Sequence, residues 1–468
     1  MRTILLLIFL CFNITARAQN TFEKVIDTLG CVVANCIQET FDGGYVFCGM
    51  SSYNGNDAVV VKLDSIGTIE WAKTYFGAGT EAAMYLEQTP DSGYIVNVSD
   101  FSNAKTCLYR LNNLGDTLWT KSFSAGVGST SAVLPNSMAS VYNSTVYGLT
   151  GYYSNGGWPS TFFIACLNSG FLLTSKVYNT AVFGNDSRAI NNTLDGGFIM
   201  TGGISITSSS SDIYLIRTNT YGDTLWTRHY DKSQADAGET VIQTSDSGFA
   251  IAAYVFNGQY SDIYLIKTDS IGDTLWTKNY NFYSDQGPNS IQQTNEGGYI
   301  ITGSAFDSNV GRGLYVIKTD AGGDTLWTRI FNAGVSNNCT GYYVRQTKDG
   351  GFIISGIAQM VQGGTYIIKT DSLGLVNSIT GLAEINNALQ FDLFPNPSSG
   401  IFTVKVKGLP KSDSFLQVYN ITSQLIYSCP LNNGVAQLID LSSYPSGIYV
   451  AVLSVNQIIA SRKIIIQN

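Results

Sequence analysis

Residues 268–280 read TDSIGDTLWTKNY, and this pairing of a TDSxGDT turn with an LWT[KR]x[YF] strand recurs along the chain about every fifty residues. Trp71, Trp119, Trp226, Trp276 and Trp327 hold the aromatic slot. Thr174 replaces it once, in LLTSKVY (172–178), and Phe22 replaces it in FEKVI (22–26), which makes seven copies. Three further pieces recur between them: a short polar strand (IQQT, 291–294), a Gly-Gly-aromatic strand (GGYIITGS, 297–304) and a strand reading YxIKTD (315–320). These also occur seven times, but the last set, at 349–371, has no Trp strand after it. The missing strand is the one that opens the repeat region. Repeats of this length with four strands each mark a propeller, and the offset predicts that strand 22–26 closes the last blade. The expected fold is all-β: a seven-bladed β-propeller of four-stranded antiparallel blades over 19–371, a linker over 372–387, and a small Ig-like β-sandwich over 388–468.

Period-two alternation with Tyr, Ile, Val and Thr enrichment supports strands throughout, and no stretch shows convincing helical periodicity. The connections DGGY (42–45), DSGY (91–94), DGGF (195–198), DSGF (246–249), EGGY (296–299) and DGGF (349–352) supply glycines that tolerate positive φ. Successive loops of an antiparallel blade fall on alternate ends. The DGGY and TDSxGDT turns therefore share one face and, since they hardly vary, read as construction. The opposite face carries loops that differ in length and content: SYNGND (52–57), YSNGGWPST (153–161), ISITSSSSD (204–212), FNGQYSD (256–262) and FDSNVGRG (306–313). That is where a binding surface is expected. Its aromatic residues, Tyr53, Tyr153, Trp158, Tyr260 and Phe306, are the ligand-binding candidates, since exposed rings offer apolar planes to sugars or partner proteins. Phe101, Tyr152 and Tyr254 fall on the same face. Packing between blades is the competing reading for these rings, and Trp158, off the repeat register, is the one least explained by it.

Residues 1–18 read as a secretory signal peptide: Arg2, an apolar core at 4–12, and the small-x-small site Ala16-Arg17-Ala18. The core is too short to span a bilayer, and no other stretch is long enough to do so. The chain carries 26 Lys and Arg against 34 Asp and Glu, a net charge of −8, and two of those bases, Arg2 and Arg17, fall in the leader. The acidic mature chain argues against nucleic acid or anionic membrane as partner. Seven of the eight cysteines lie beyond the leader. Cys36 and Cys48 sit symmetrically about the turn at 41–44 and can face each other across a hairpin, with or without a disulfide. Cys31, Cys107, Cys166, Cys339 and Cys429 read as small buried hydrophobes.

Beyond residue 387 the repeat is gone. FPNPSSGIF (394–402), LQVYNITSQLIY (416–427), IDLSSYPSGIYV (439–450) and RKIII (462–466) resemble, in order, the type A C-terminal sorting domain of the type IX secretion system of Bacteroidetes. Pro395, Asn396, Pro397, Gly400, Gly447, Tyr449 and Lys463 carry the motif; Gln467-Asn468 stand where a terminal Lys is usual. The resemblance implies passage through the periplasm, recognition by the type IX machinery, and a released or surface-attached product. It concerns delivery and is silent on the task of the cargo.

The search for chemistry returns little. His229, the single histidine, occupies a slot that Ser122 and Asn279 also fill, so it reads as a solvent-facing strand position. No Ser-His-Asp arrangement and no zinc spacing can be assembled. The Asp residues of TDSIGDT read either as turn caps or as calcium ligands, for which a tight turn supplies too few oxygens. Lys62, Arg110, Arg217, Lys267, Lys318 and Lys369 fall once per blade, either paired with carboxylates or forming a cationic ring. The expectation is a cofactor-free, non-catalytic binding or adhesion module for glycan or protein. The alternative is an extracellular polysaccharide hydrolase or lyase with an axial active site.

Overall fold

The computed structural model describes residues 20–467, apart from 27–29, 53–55, 76–78, 104, 124–129, 133–137, 142–144, 155–158, 179–183, 208–209, 234, 308–310, 334–337, 360–363, 377–389, 408–413, 421–424, 432–436 and 456–457. The expected leader and most of the expected linker thus lie outside the described residues. The chain divides into two compact units, Met1–Ser378 and Ile379–Asn468. Among the described residues there is no α-helix, and none long and apolar enough to cross a membrane.

The first unit is a seven-bladed β-propeller. Six blades are complete in sequence, and the seventh is assembled from two distant parts: Phe22–Ile26 pairs antiparallel with Gly364–Thr370, Phe22 opposite Lys369 and Ile26 opposite Thr365. The inner strand of blade one, Cys31–Glu39, then packs on blade seven at Phe352–Ala358 and on blade two at Glu81–Gln88, which closes the ring. In each blade the strand that opens the repeat lies nearest the axis, and the Trp strand, or its Thr174 or Phe22 counterpart, is the outer edge. Blade three departs from the expected four strands. Its inner strand is split into Thr130–Ala132 and Met138–Val141, both paired with Val146–Ser154.

Middle strands are covered on both sides by neighbouring blades, which explains their unbroken apolar runs. Val59, Val60 and Val61 of Asp57–Leu63 are fully buried, whereas the outer strand Ile69–Tyr75 is only half-buried.

The recurring motifs meet at the seams between blades. Trp226, on the outer strand of blade four, packs against Gly272 in the TDSIGDT turn of blade five and edge-on to Phe249 of that blade's DSGF strand, with ring centroids 5.7 Å apart. Tyr230 Oη donates to Gly272 O at 2.7 Å, and Arg228 lies 3.5 Å from Asp273. A Cβ on Gly272 would meet Arg228 Cγ at 2.8 Å and the Trp226 ring at 3.1 Å, and its φ of +86° already excludes most side chains. Trp276 with Gly323 and Tyr299, and Trp327 with Gly374 and Phe352, repeat the arrangement. Blade three, which lost its Trp, fills the hole from its neighbouring strand: Phe163 packs on Gly222 and Phe198, while Tyr178 still donates to Gly222 O.

The second unit is a β-sandwich. Gln390–Phe394, Ile401–Lys407 and Gln437–Asp440 form one sheet; Leu425–Leu431, Ser414–Asn420, Gly447–Val455 and Ile458–Ile466 form the other. Phe391, Phe402, Leu416, Val418, Ile439, Leu453 and Ile464 are buried between them.

Candidate functional site

The turn face is occupied by its own contacts. All six repeated third-strand cations are paired: Lys62 with Asp42 at 3.0 Å, Arg110 with Asp91 at 2.5 Å, Arg217 with Asp195, Lys267 with Asp246 at 2.9 Å, Lys318 with Glu296 at 3.1 Å and Lys369 with Asp349 at 2.9 Å. This is the carboxylate pairing, and the cationic ring is not formed. Burial by itself raises Asp42 and Asp246, but bonds from Thr40, Gly44 and Lys62 to the first, and from Lys267, Thr244 and Gly248 to the second, hold each down at about 2. The TDSxGDT aspartates are likewise used as caps. Asp269 Oδ1 accepts from Ile271 N at 3.0 Å and Asp273 N at 2.9 Å, and Asp64 does the same for Ile66 and Thr68. Among the described residues no group of three or more His, Cys, Asp or Glu side chains is placed to hold a metal ion.

Five of the six DGGY-type turns are also tied to the next blade. Phe41 N donates to Gln88 Oε1 at 2.8 Å, Leu194 N to Gln243, Ser245 N to Gln293 and Asn295 N to Gln346. Lys348 N donates to Glu39 at 2.8 Å, so the last link runs from blade seven back to blade one.

On the loop face, Tyr260 and Phe306 are both 42% exposed, and Phe101 is 44% exposed. The structure does not bring Tyr260 and Phe306 into contact. Tyr254 is instead a packing residue, with the Arg188 guanidinium 5.4 Å from its ring centre. Tyr53 and Trp158 lie outside the described residues, as does the side chain of Tyr153, whose backbone pairs with Ser131. His229 is exposed at the rim, its Nδ1 3.1 Å from Asp212. Cys36 and Cys48 are direct cross-strand partners and both are buried free thiols, as are the other five cysteines.

The axis holds a feature that the sequence reading missed. A cavity of about 250 Å³ is lined by inner strands of all seven blades, including Gln38, Tyr85, Glu87, Ser140, Asn191, Asn192, Thr240, Ile291 and Arg345. Six inner strands carry a bulge at the same place, between positions 34/36, 83/85, 187/189, 238/240, 288/290 and 341/343. The extra residue re-aims the strand and, in three blades, reaches the next one: Asn35 Nδ2 donates to Ala83 O at 2.9 Å, Asn289 Nδ2 to Gly341 O at 2.7 Å, and Arg188 pairs with Glu239. Burial raises the Glu239 carboxyl, and the Arg188 charge offsets part of that. The Tyr85 and Tyr343 hydroxyls meet 3.3 Å apart, and burial pushes both phenols up. Glu87 accepts from Ser140 Oγ at 2.6 Å. The Arg345 guanidinium stacks 3.9 Å from the Tyr343 ring centre and donates to Val344 O and Ser290 Oγ. The available signal was the second slot of the IQQT strand, which reads Gln38, Glu87, Asn191, Ile242, Gln292 and Arg345 from blade to blade while its neighbours stay uniform.

In the second unit the motif residues serve the fold. Asn396 spans the edge of the last strand, Nδ2 donating to Lys463 O at 2.6 Å and Oδ1 accepting from Ile465 N at 2.8 Å. Pro395 and Pro397 flank it. Gly400 has φ +93°, and a Cβ there would lie 2.5 Å from Ser442 Cα. Tyr449 Oη donates to Pro445 O at 2.7 Å, beside Gly447. Lys463 is exposed.

Residues 392–467 match the family model of the secretion system C-terminal sorting domain. No curated protein matches the chain in sequence. Among solved structures it is similar to puromycin hydrolase, at 10% identity and a TM-score of 0.48, over 81% of this chain and 59% of that one. It is also similar to Sqt1 from Chaetomium thermophilum, at 11% identity and a TM-score of 0.45, over 84% and 100%. A fungal alcohol oxidase of the AA5 family follows at 10% and 0.45, over 95% and 98%. Likenesses at this level bear on neither activity nor ligand. The sequence match and the sandwich together make the C-terminal unit a sorting domain of the type IX secretion system, recognised by that machinery, and the chain a secreted or outer-surface protein of Bacteroidetes.

Proposed function

We propose that this exported propeller is a non-catalytic binding or adhesion module for extracellular glycan or protein, working through its loop face. The observation that carries the reading is the contrast between the two faces. The invariant polar residues of the repeat are consumed in seams and turn caps, while Phe101, Tyr260 and Phe306 stay exposed on loops that vary. The same reading takes residues 1–18 as a signal peptide, 19–371 as the propeller, 372–387 as a linker and 388–468 as the sorting domain. Screening the mature protein on glycan and surface-protein arrays, beside Tyr260→Ala, Phe306→Ala and Trp158→Ala, tests it. Binding that all three variants leave intact removes the loop face from consideration.

The enzymatic alternative, a polysaccharide hydrolase or lyase at the axis, has less support. A glycosidase needs two carboxylates about 5–10 Å apart, and among the described residues lining the axial cavity Glu87 is the one carboxylate. Release of reducing ends from polysaccharide, abolished by Glu87→Gln, is the result that reverses the preference.

A further inference from the structure

We propose that the axial cavity is a second binding site, independent of the loop face, that takes a small hydroxylated monocarboxylate of sugar-acid type, with Arg345 holding the carboxylate. The basis is a cation on the cavity lining that no carboxylate among the described residues pairs, unlike the repeated third-strand cations. Each repeated third-strand cation has a carboxylate of its own, and Arg188 has two, Glu239 and Asp186. Arg345 has none: among the described residues its contacts are the Val344 carbonyl at 2.7 Å, the Ser290 hydroxyl at 3.3 Å and the Tyr343 ring. Both hydrogen bonds leave from Nη1. The donors on Nε and Nη2 form the edge of the planar fork that matches a carboxylate in a two-point contact.

This head group is pre-positioned. Stacking on Tyr343 and the two Nη1 bonds hold the guanidinium before any ligand arrives, so little side-chain entropy remains to be lost on binding. Tyr343 is itself fixed by the facing hydroxyl of Tyr85.

The rest of the lining suits hydroxyl groups. Gln38, Asn191, Asn192 and Thr240 offer amide and hydroxyl partners around the same space. At about 250 Å³, the cavity falls below the roughly 300–1,000 Å³ of sites for drug-sized ligands, which limits the occupant to about the size of one monosaccharide. Charge narrows the class further. Glu87, tied to Ser140 on the same lining, repels added negative charge, so a monoanion held by Arg345 is favoured over a dianion such as phosphate. Access is available from the turn face, where a depression bordered by Asn295, Gln346 and Lys348 shares Gln38 and Arg345 with the cavity.

The test is titration calorimetry of the mature protein with glucuronate, against glucose and inorganic phosphate, for the wild type, Arg345→Gln and Arg345→Lys. The expected result is glucuronate binding that exceeds both controls and weakens roughly 10- to 100-fold in Arg345→Gln, with Arg345→Lys between the two and melting temperatures unchanged. Absence of glucuronate binding at millimolar concentration, equal binding of glucose, or unchanged affinity in Arg345→Gln overturns the proposal and leaves Arg345 as a blade clamp. Should Arg345→Gln fail to fold, the comparison of glucuronate with glucose on the wild type decides. Loop-face variants are expected to leave this binding untouched, so its failure and that of the glycan or protein reading are separable.

Discussion

An ordinary seam and the closing seam of the ring do the same work with different residues. Between blades four and five, the Trp226 indole covers Gly272 and Tyr230 caps the Gly272 carbonyl. Between blades seven and one, Phe22 covers Gly67, with a Cβ there 2.8 Å from its ring, and Lys24 Nζ donates to Gly67 O at 2.7 Å. Phe22 also meets Tyr45 edge-on at 5.8 Å, as Trp226 meets Phe249 at 5.7 Å. What the seam requires is an aromatic face over a left-handed glycine plus a donor for its carbonyl, and more than one pair of side chains meets the requirement. The difference lies in connectivity. Trp226 belongs to the chain segment it closes, whereas Phe22 reaches a blade whose other strands are over three hundred residues away, so closure depends on a contact of very high loop-closure cost.

That comparison can be broken most severely by deleting Phe22–Ile26. The deletion unpairs Gly364–Thr370 and opens the ring, and the expected outcome is loss of the cooperative melting transition and exposure of an apolar edge, read by calorimetry and dye binding. An unchanged transition would mean that the ring does not need its closing strand. Next come the rings themselves: Trp327 and Phe22 are 8% and 7% exposed, and truncation to Ala at either is expected to cost about 3–5 kcal/mol in chemical denaturation. A much smaller value for Phe22→Ala makes the closing seam the weaker one. Gly272→Ala should cost about 2 kcal/mol, from the left-handed backbone and the crowding against Arg228 and Trp226. Removing only the seam donor, as Tyr230→Phe or Lys24→Met, should cost about 1 kcal/mol each, and equal losses would show that Lys24 stands in fully for a tyrosine.

The smallest effect is that of pH on the turn pairs. Asp42 and Asp246 fall from 3.8 to about 2 in the folded protein, so their contribution is complete above pH 3.8 and is lost as pH falls through about 2. Both carboxylates are more than half exposed, so solvent screening keeps the change in melting temperature small. Lys62→Met should flatten the part of the profile that belongs to Asp42.

Much of the propeller was legible because its determinants are local and repeated. The Trp slot, the glycines and the alternating strands each announce themselves within a few residues, and comparing copies exposed Phe22 as the missing strand. The pairing of the third-strand cations was within reach for the same reason, since each partner lies about twenty residues away in the same blade. Blade three shows the limit. Thr174 revealed that an aromatic was gone, but not that Phe163, on a different strand, fills the space over Gly222.

The axial cavity was illegible for a stronger reason. Arg345 looks in sequence like one more polar residue of an inner strand, no different in kind from Gln292 or Asn191. Its character comes from what seven separate blades bring round it and from having no ion-pair partner among the described residues. A pattern read along the chain determines the blade, its turns and the order of its strands, because those follow from side-chain alternation and backbone freedom over short spans. Which strand faces the axis, which ring fills a vacated slot and which cation is left without an ion-pair partner are settled only when the ring closes, because each depends on distances between residues that share no local stretch of chain.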